Sequence, residues 1–130
     1  VNIGLTYMNN KDYDSAHHAY LNSLNIKEKI YDKYGLGVTF SLIADNFKLQ
    51  NKLDSAIVYY NKAKQYLESL DANHLIAMAN MQLADIYCDK NLPNKALSLI
   101  NESEEYLTEE STLSQVDILL LKAKIYNQLG

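Results

Sequence analysis

The sequence contains no arginine and no tryptophan, and its 130 residues include one cysteine, one proline and four glycines. Without arginine, the chain lacks the side chain that holds carboxylates and phosphates with two parallel hydrogen bonds and that most often recognises guanine. The single Cys88 excludes an internal disulfide framework. So little proline and glycine is typical of long helices rather than of a chain built from many tight turns.

Charge and hydropathy exclude two further classes. The net charge is −4, whereas a nucleic-acid-binding domain normally carries a basic patch, so we expect no direct contact with nucleic acid. The longest apolar run covers residues 75–79, far short of the roughly 18 residues of a membrane helix, so we expect no membrane insertion. Apolar residues make up 48% of the chain, which favours a globular domain with a core over a disordered tail.

The start of the chain predicts that it is a piece of a longer protein. Val1 lies inside a helical pattern, and no initiator methionine precedes it. No signal-peptide pattern is present, but in a piece of a protein that absence leaves the compartment open.

A block with one small residue and an aromatic residue three positions later recurs along the chain. Its four copies start 40, 40 and 39 residues apart and are Ile3–Tyr7, Ile43–Phe47, Leu83–Tyr87 and Lys122–Tyr126. A second block follows the first three copies in constant register, and it consists of Ala16 and Tyr20, Ala56 and Tyr60, and Ala96 and Ile100. Two blocks kept in register over three copies indicate a structural repeat.

Each copy predicts two helices joined by a short polar stretch. Asp12, Asp54 and Asp71 are candidate N-caps, Gly35 suits the end of a long helix, and Pro93 suits a first helical position. The seven predicted helices cover residues 1–9, 13–34, 36–50, 54–70, 73–89, 93–108 and 113–129.

The repeated positions have the chemistry of helix packing. Small residues in the first helix of each copy allow a neighbouring helix to approach closely, and they are Gly4, Ala44, Ala84 and Ala123. The aromatic residues three positions later share that face and fill the space between helices. A single helix pair cannot bury such a face, but stacked pairs can.

These blocks resemble the signature of the tetratricopeptide repeat family, which has a Leu-Gly-x-x-Tyr block and then an alanine with an aromatic residue four positions later. The family's period is about 34 residues, and the longer period here resembles the long-helix branch of kinesin light chains and bacterial peptide-sensing regulators. The resemblance implies an all-α fold, a right-handed α-solenoid of antiparallel helix pairs with about three and a half repeats and seven helices. The resemblance also implies that residues 1–130 form one domain, with repeats at about 1–35, 36–72, 73–111 and 112–130.

The family generally binds peptides or helices along its concave face, which the first helices line. The stripe of each first helix opposite the core positions is therefore the predicted partner-binding groove. Its residues are Leu5, Met8, Val38, Ser41, Asp45, Lys48, Met78, Met81, Asp85 and Lys124. Methionine surfaces adapt to varied apolar partners, and the equivalent Asp45 and Asp85 could hold a basic residue. The alternative is that these two carboxylates simply hydrate an exposed face.

The sequence offers no convincing catalytic, metal or cofactor site. His17 and His18 are adjacent on a predicted helix and point in different directions, and Cys88 has no second cysteine or neighbouring base. We therefore expect a non-enzymatic interaction module, the sensory or partner-binding part of a larger bacterial regulator such as a transcription factor or histidine kinase. The alternatives are an architectural spacer or dimerisation domain and, with the least support, an aid to catalysis.

The last predicted helix is apolar around most of its circumference. Because a terminal helix of a repeat protein should be polar on its outer side, we expect another helix of the parent chain to pack on it. In this piece the exposed face is a candidate for self-association.

Overall fold

The structure is a computed structural model that describes residues 4–5, 11–107 and 112–130. Six helices follow one another in this part of the chain, which contains no strand: α1 (Tyr13–Lys29), α2 (Lys33–Leu49), α3 (Leu53–Glu68), α4 (Asn73–Asp89), α5 (Pro93–Tyr106) and α6 (Thr112–Leu129). They form two compact units, Val1–Leu70 and Asp71–Gly130, called unit 1 and unit 2 below.

The all-α class is thus confirmed, with six helices instead of seven in the described residues. The predicted first helix, residues 1–9, lies mostly outside them: Gly4 and Leu5 are described and helical, whereas Tyr7 and Met8 lie outside. The helix pairs pack as a helical repeat requires, since α2 contacts α3 and α4 contacts α5. The right-handed superhelix stays a prediction.

A residue with left-handed backbone conformation stands two places before each of the first five helices. These residues recur every 20 positions and are Lys11, Tyr31, Asn51, Asp71 and Asn91, with φ of 62°, 57°, 60°, 52° and 59°. In three of the turns the next N–H bonds to the carbonyl five residues back, as from Asp32 to Lys27 at 2.9 Å. This is the hydrogen bond of a Schellman cap. In these three turns, only three residues separate the last residue of one helix from the first residue of the next.

The predicted helix end at Gly35 is wrong. Helix α1 ends before Tyr31, and Asp32 starts α2 by accepting a hydrogen bond from the backbone N–H of Gly35 at 2.9 Å. Gly35 is buried in the first turn of α2, where an added Cβ would collide with the Asp32 carboxylate. Glycine at position 35 therefore leaves room for the capping carboxylate of Asp32, and the left-handed turn is made by Tyr31 instead.

The other terminal predictions had mixed outcomes. Asp12 is the N-cap of α1 and accepts a hydrogen bond from Ser15 N–H at 3.2 Å, and Pro93 is the first residue of α5, both as predicted. Asp54 and Asp71 are not caps, since Asp54 lies in the first turn of α3 and Asp71 is a left-handed turn residue.

The small repeated residues of unit 1 are packing residues, as predicted. Ala16, Ala44 and Ala56 are completely buried. Helix α3 approaches α2 so closely at Gly37 that an added Cβ would lie 2.8 Å from Leu67 Cδ2. The core of this unit therefore lies where α2 meets its two neighbours in sequence.

In unit 2, α4 packs against both α5 and α6. Its Ala84 and the α5 residues Ala96 and Ile100 are completely buried, and they share one cluster with Ile118 and Ile125 of α6. Helix α6 thus buries the face that carries these two isoleucines. The repeated small and aromatic residues of α6 are Ala123 and Tyr126. They lie on another face of this helix and are exposed.

Glycine at position 31 should stabilise unit 1. Tyr31 has φ 57° and is 88% exposed, so Tyr31→Gly removes Cβ strain and little packing, and we expect the free energy of unfolding to rise by roughly 0.5–1 kcal/mol. Urea denaturation followed by circular dichroism measures the change. As a matched control, Tyr34→Gly inside α2 should lower it by about 1 kcal/mol. A lower stability of Tyr31→Gly would contradict this account of the turn.

Candidate interaction surface

An ion-pair cluster joins the predicted groove stripes of two helices in unit 2. Lys124 Nζ of α6 lies 2.8 Å from Asp85 Oδ1 and 3.1 Å from Asp89 Oδ1 of α4. Asp85 and Lys124 occupy equivalent places in consecutive copies of the repeat. Helices α4 and α6 are the first helices of consecutive copies, and these side chains join them. We call the surface formed by Met78, Asp85 and Asp89 of α4 and Lys124 of α6 the strip.

Two carboxylates share one ammonium in this cluster. The hydrogen bond to Asp85 raises the pKa of Lys124 above its usual range, the bond to Asp89 raises it further, and partial burial opposes both. Lys124 is therefore protonated at every physiological pH. With both carboxylates ionised, the strip keeps one net negative charge.

The two methionines of the α4 stripe have different environments. Met78 is 48% exposed, whereas Met81 is 8% exposed and belongs to the core cluster with Ala84 and Ile118. Met81, a predicted groove residue, is therefore a core residue that α6 covers. Met78 is the apolar side chain of this stripe that a partner can reach.

A further hydrogen bond joins α6 to the C-terminal end of α4. The side-chain amide of Gln128 donates a hydrogen bond of 2.9 Å to the backbone carbonyl of Cys88. The Cys88 thiol is buried, and this burial raises its pKa. A neutral buried thiol is a poor nucleophile, so Cys88 acts here as a small core residue.

The stripe of unit 1 is half-buried. Val38, Ser41 and Lys48 of α2 are partly accessible, and Leu5 is exposed. Met8, also predicted for this groove, lies outside the described residues. The sequence-based stripe thus corresponds to accessible surface at these four positions.

Asp45 of this stripe has an intramolecular partner. The Tyr60 hydroxyl of α3 donates a hydrogen bond to Asp45 Oδ1. Burial raises the pKa of Asp45, although the bond from Tyr60 and the nearby Lys48 oppose the shift. Burial, and secondly the Asp45 charge, raise the pKa of Tyr20 to about 12. Asp45 therefore belongs to a half-buried polar cluster with Tyr60 and Tyr20.

The equivalent aspartates thus have different partners, for a reason visible in the repeat. The second helix of one copy presents Tyr60, whose hydroxyl reaches Asp45. The next copy has Ile100 at that place, which cannot donate a hydrogen bond. Asp85 instead bonds to Lys124 of the following copy.

Sequence reasoning missed a row of stacked aromatic rings between α2 and α3. Phe40 stacks on Tyr59 and Tyr66 with ring centroids 6.1 and 5.6 Å apart, and Phe47 stacks on Tyr59 at 5.4 Å. Lys62 Nζ lies 4.9 Å from the centroid of Tyr59, a cation–π distance. The signal was the seven-residue spacing of the aromatic residues on both helices, which places them on one face each.

In the described part of the chain, no three His, Cys, Asp or Glu side chains are grouped closely enough to hold a metal ion. Over the same residues, no helix has both the length and the apolar content to cross a bilayer. Neither a protein-family model nor a curated protein matches the sequence.

Replacing Asp45 by asparagine should stabilise the protein at neutral pH. Because folding raises the Asp45 pKa, the stability that the neutral carboxyl contributes is present below the unfolded pKa of about 3.9 and is lost as pH rises through the folded value. Asp45→Asn keeps an oxygen for Tyr60 but never ionises. We expect a higher urea midpoint than the wild type at pH 7, and a difference that shrinks as pH falls through the raised folded pKa of Asp45 and is lost below about pH 4.

The control for this experiment is Asp117→Asn, since Asp117 is exposed on α6 and its replacement should leave the urea midpoint unchanged at both pH values. A lower urea midpoint for Asp45→Asn than for the wild type at neutral pH, with a smaller difference at acidic pH, would show that the ionised carboxylate is needed and would contradict this account.

The bond between Asp85 and Lys124 should contribute modestly and should depend on salt. Both side chains are partly exposed, so a double-mutant cycle of Asp85→Asn and Lys124→Met should give a coupling free energy of about 0.5–1 kcal/mol. Repeating the cycle in about 1 M NaCl should lower it, because screening weakens exposed pairs. Zero coupling in low salt would argue against a joined strip.

Proposed function

We propose that this chain is a helical-repeat interaction module, without catalytic activity, that binds a protein or peptide segment along the strip formed by its first helices. The observation that supports this most directly is the bond from Lys124 to Asp85, because it brings equivalent side chains of two consecutive first helices together. A surface built from neighbouring helices offers an extended segment more contacts than one helix can.

The accessible groups favour a partner with apolar and basic side chains. Met78 is a large exposed apolar residue on α4, and methionine adapts to partners of different shape. The carboxylates of Asp85 and Asp89 exceed the single cation between them by one charge. A basic residue of a partner would neutralise that charge, whereas an acidic segment would be repelled.

The repeat spacing and the block pattern support placing this module among long-helix tetratricopeptide repeats. On that resemblance we further propose that it is the sensory or partner-binding part of a larger bacterial regulator, such as a transcription factor or a histidine kinase. This parentage rests on family analogy, since a fold hosts many functions.

An architectural role, as a spacer or dimerisation domain with no groove ligand, is the second candidate. It is favoured by the large apolar side chains that α6 exposes, among them Leu119 and Leu120. Exposed apolar patches often mark contacts with other proteins, so dimerisation through α6 would leave the strip without a ligand.

A peptide-display screen on the purified domain tests the groove proposal. We expect the wild type to enrich a motif with apolar and basic residues and Met78→Glu to lose that motif, because the variant removes the apolar contact. Asp85→Asn should weaken the same peptides modestly, by about tenfold or less.

The matched control is Val58→Glu, which introduces the same charge at another exposed apolar residue, on α3. It should enrich the wild-type motif. Absence of any motif, or one that survives Met78→Glu, would refute the groove proposal, and sedimentation showing a dimer would then favour the architectural role.

A further inference from the structure

Helix α6 has an exposed apolar face opposite the face that it buries. We call it the outer face, and its residues are Val116, Leu119, Ala123 and Tyr126, all exposed, with Leu119 at 65%. Their spacing of three, four and three residues places them on one side of a helix. The buried side carries Ile118 and Ile125, so α6 is apolar on two opposite sides.

The repeat defines what the equivalent face does in α2. There the corresponding residues are Gly37, Phe40, Ala44 and Phe47. Phe40 and Phe47 stack on tyrosines of α3, and Gly37 lies against Leu67 of α3. This face of α2 therefore carries the following helix.

The same holds for α4, whose corresponding residues are Ala77, Asn80, Ala84 and Tyr87. Ser103 of α5 donates a hydrogen bond of 3.3 Å to the Ala77 carbonyl, and Lys95 of α5 lies over the Tyr87 ring at 5.4 Å. Ala84 shares a buried cluster with Ala96 and Ile100 of α5. In both described helix pairs, this face is where a second helix packs.

We propose that the outer face of α6 is a docking site for an amphipathic α-helix with the chemistry of α5, from outside residues 1–130 and running antiparallel to α6. Two of its four residues, Ala123 and Tyr126, repeat the pair Ala84 and Tyr87 that carries α5. The docked helix presents a small residue and, four positions later, a large aliphatic one, as α5 does with Ala96 and Ile100.

Position 116 of the face distinguishes a docked helix like α5 from one like α3. Val116 replaces Gly37, and Gly37 is the place where Leu67 of α3 leaves no room for a Cβ. A helix like α3 would therefore clash there, whereas α5 brings the smaller Ser103 to the equivalent Ala77.

Position 119 makes the α6 face better suited to an apolar helix than the α4 face. Its equivalent, Asn80, is completely buried, and neither atom of its amide has a hydrogen-bond partner. An unsatisfied buried amide is costly. Leu119 has no amide, so a helix like α5 that packs on α6 would bury the apolar side chain of Leu119 where α4 buries the amide of Asn80.

The test uses the full chain and a fluorescently labelled peptide of residues 92–107, which contains α5 with its flanking residues. We expect saturable binding by fluorescence anisotropy, a gain in peptide helicity, and NMR shifts at α6. Leu119→Glu should weaken binding roughly tenfold or more, since it removes one large apolar contact. Ile26→Glu, at an exposed apolar residue of α1, is the matched control and should bind as the wild type does.

A peptide with Ile100→Glu should not bind, because its inward face is no longer apolar. Met78→Glu should leave the affinity for the wild-type peptide unchanged, so this proposal and the groove proposal can fail separately. The docking proposal is overturned if the wild-type peptide does not bind. It is also overturned if the chain forms a dimer that Leu119→Glu dissociates and that the peptide does not compete with, since the occupant would then be a second copy.

Discussion

The left-handed turn residue is the constraint on which the rest of this structure depends. It follows the end of one helix, and the next residue is the N-cap of the following helix, so only three residues connect α1 to α2, α2 to α3 and α4 to α5. Because these turns recur every 20 residues, helices of similar length follow one another, and α2 and α4 present equivalent positions to the helix that follows each of them. The period of 40 residues is therefore two such steps, and the equivalence of α2 and α4 follows from it.

That equivalence gives each first helix two adjacent stripes with different tasks. One stripe, with Ala44 and Ala84, carries the second helix of the same copy. The other, with Asp45 and Asp85, faces polar groups of α3 in unit 1 and of α6 in unit 2. The second stripe is therefore also tied to the packing of its unit, through Tyr60 in unit 1 and through Lys124 in unit 2.

The sequence predicted the helical class, most helix positions, and the buried alanines, because these depend on local periodicity and on residue size. It failed at Gly35, since glycine is read as a helix end when its missing Cβ permits a left-handed turn. Here Tyr31 adopts that turn, and Gly35 lacks a Cβ because the Asp32 carboxylate occupies the space. Spacing alone does not distinguish these two uses of a glycine.

The sequence by itself determined the repeat, its register and the helix faces on which the packing residues and the aspartate stripe lie, because a helix distributes its residues around its axis in a fixed order. The tertiary structure decided which side chains of those faces remain accessible. Met81 is covered by α6, Asp45 is bonded to Tyr60, and Asp85 reaches Lys124. These outcomes depend on distances between side chains of different helices, and they differ between copies because Tyr60 can donate a hydrogen bond to Asp45 whereas Ile100, at the equivalent place, has no polar group.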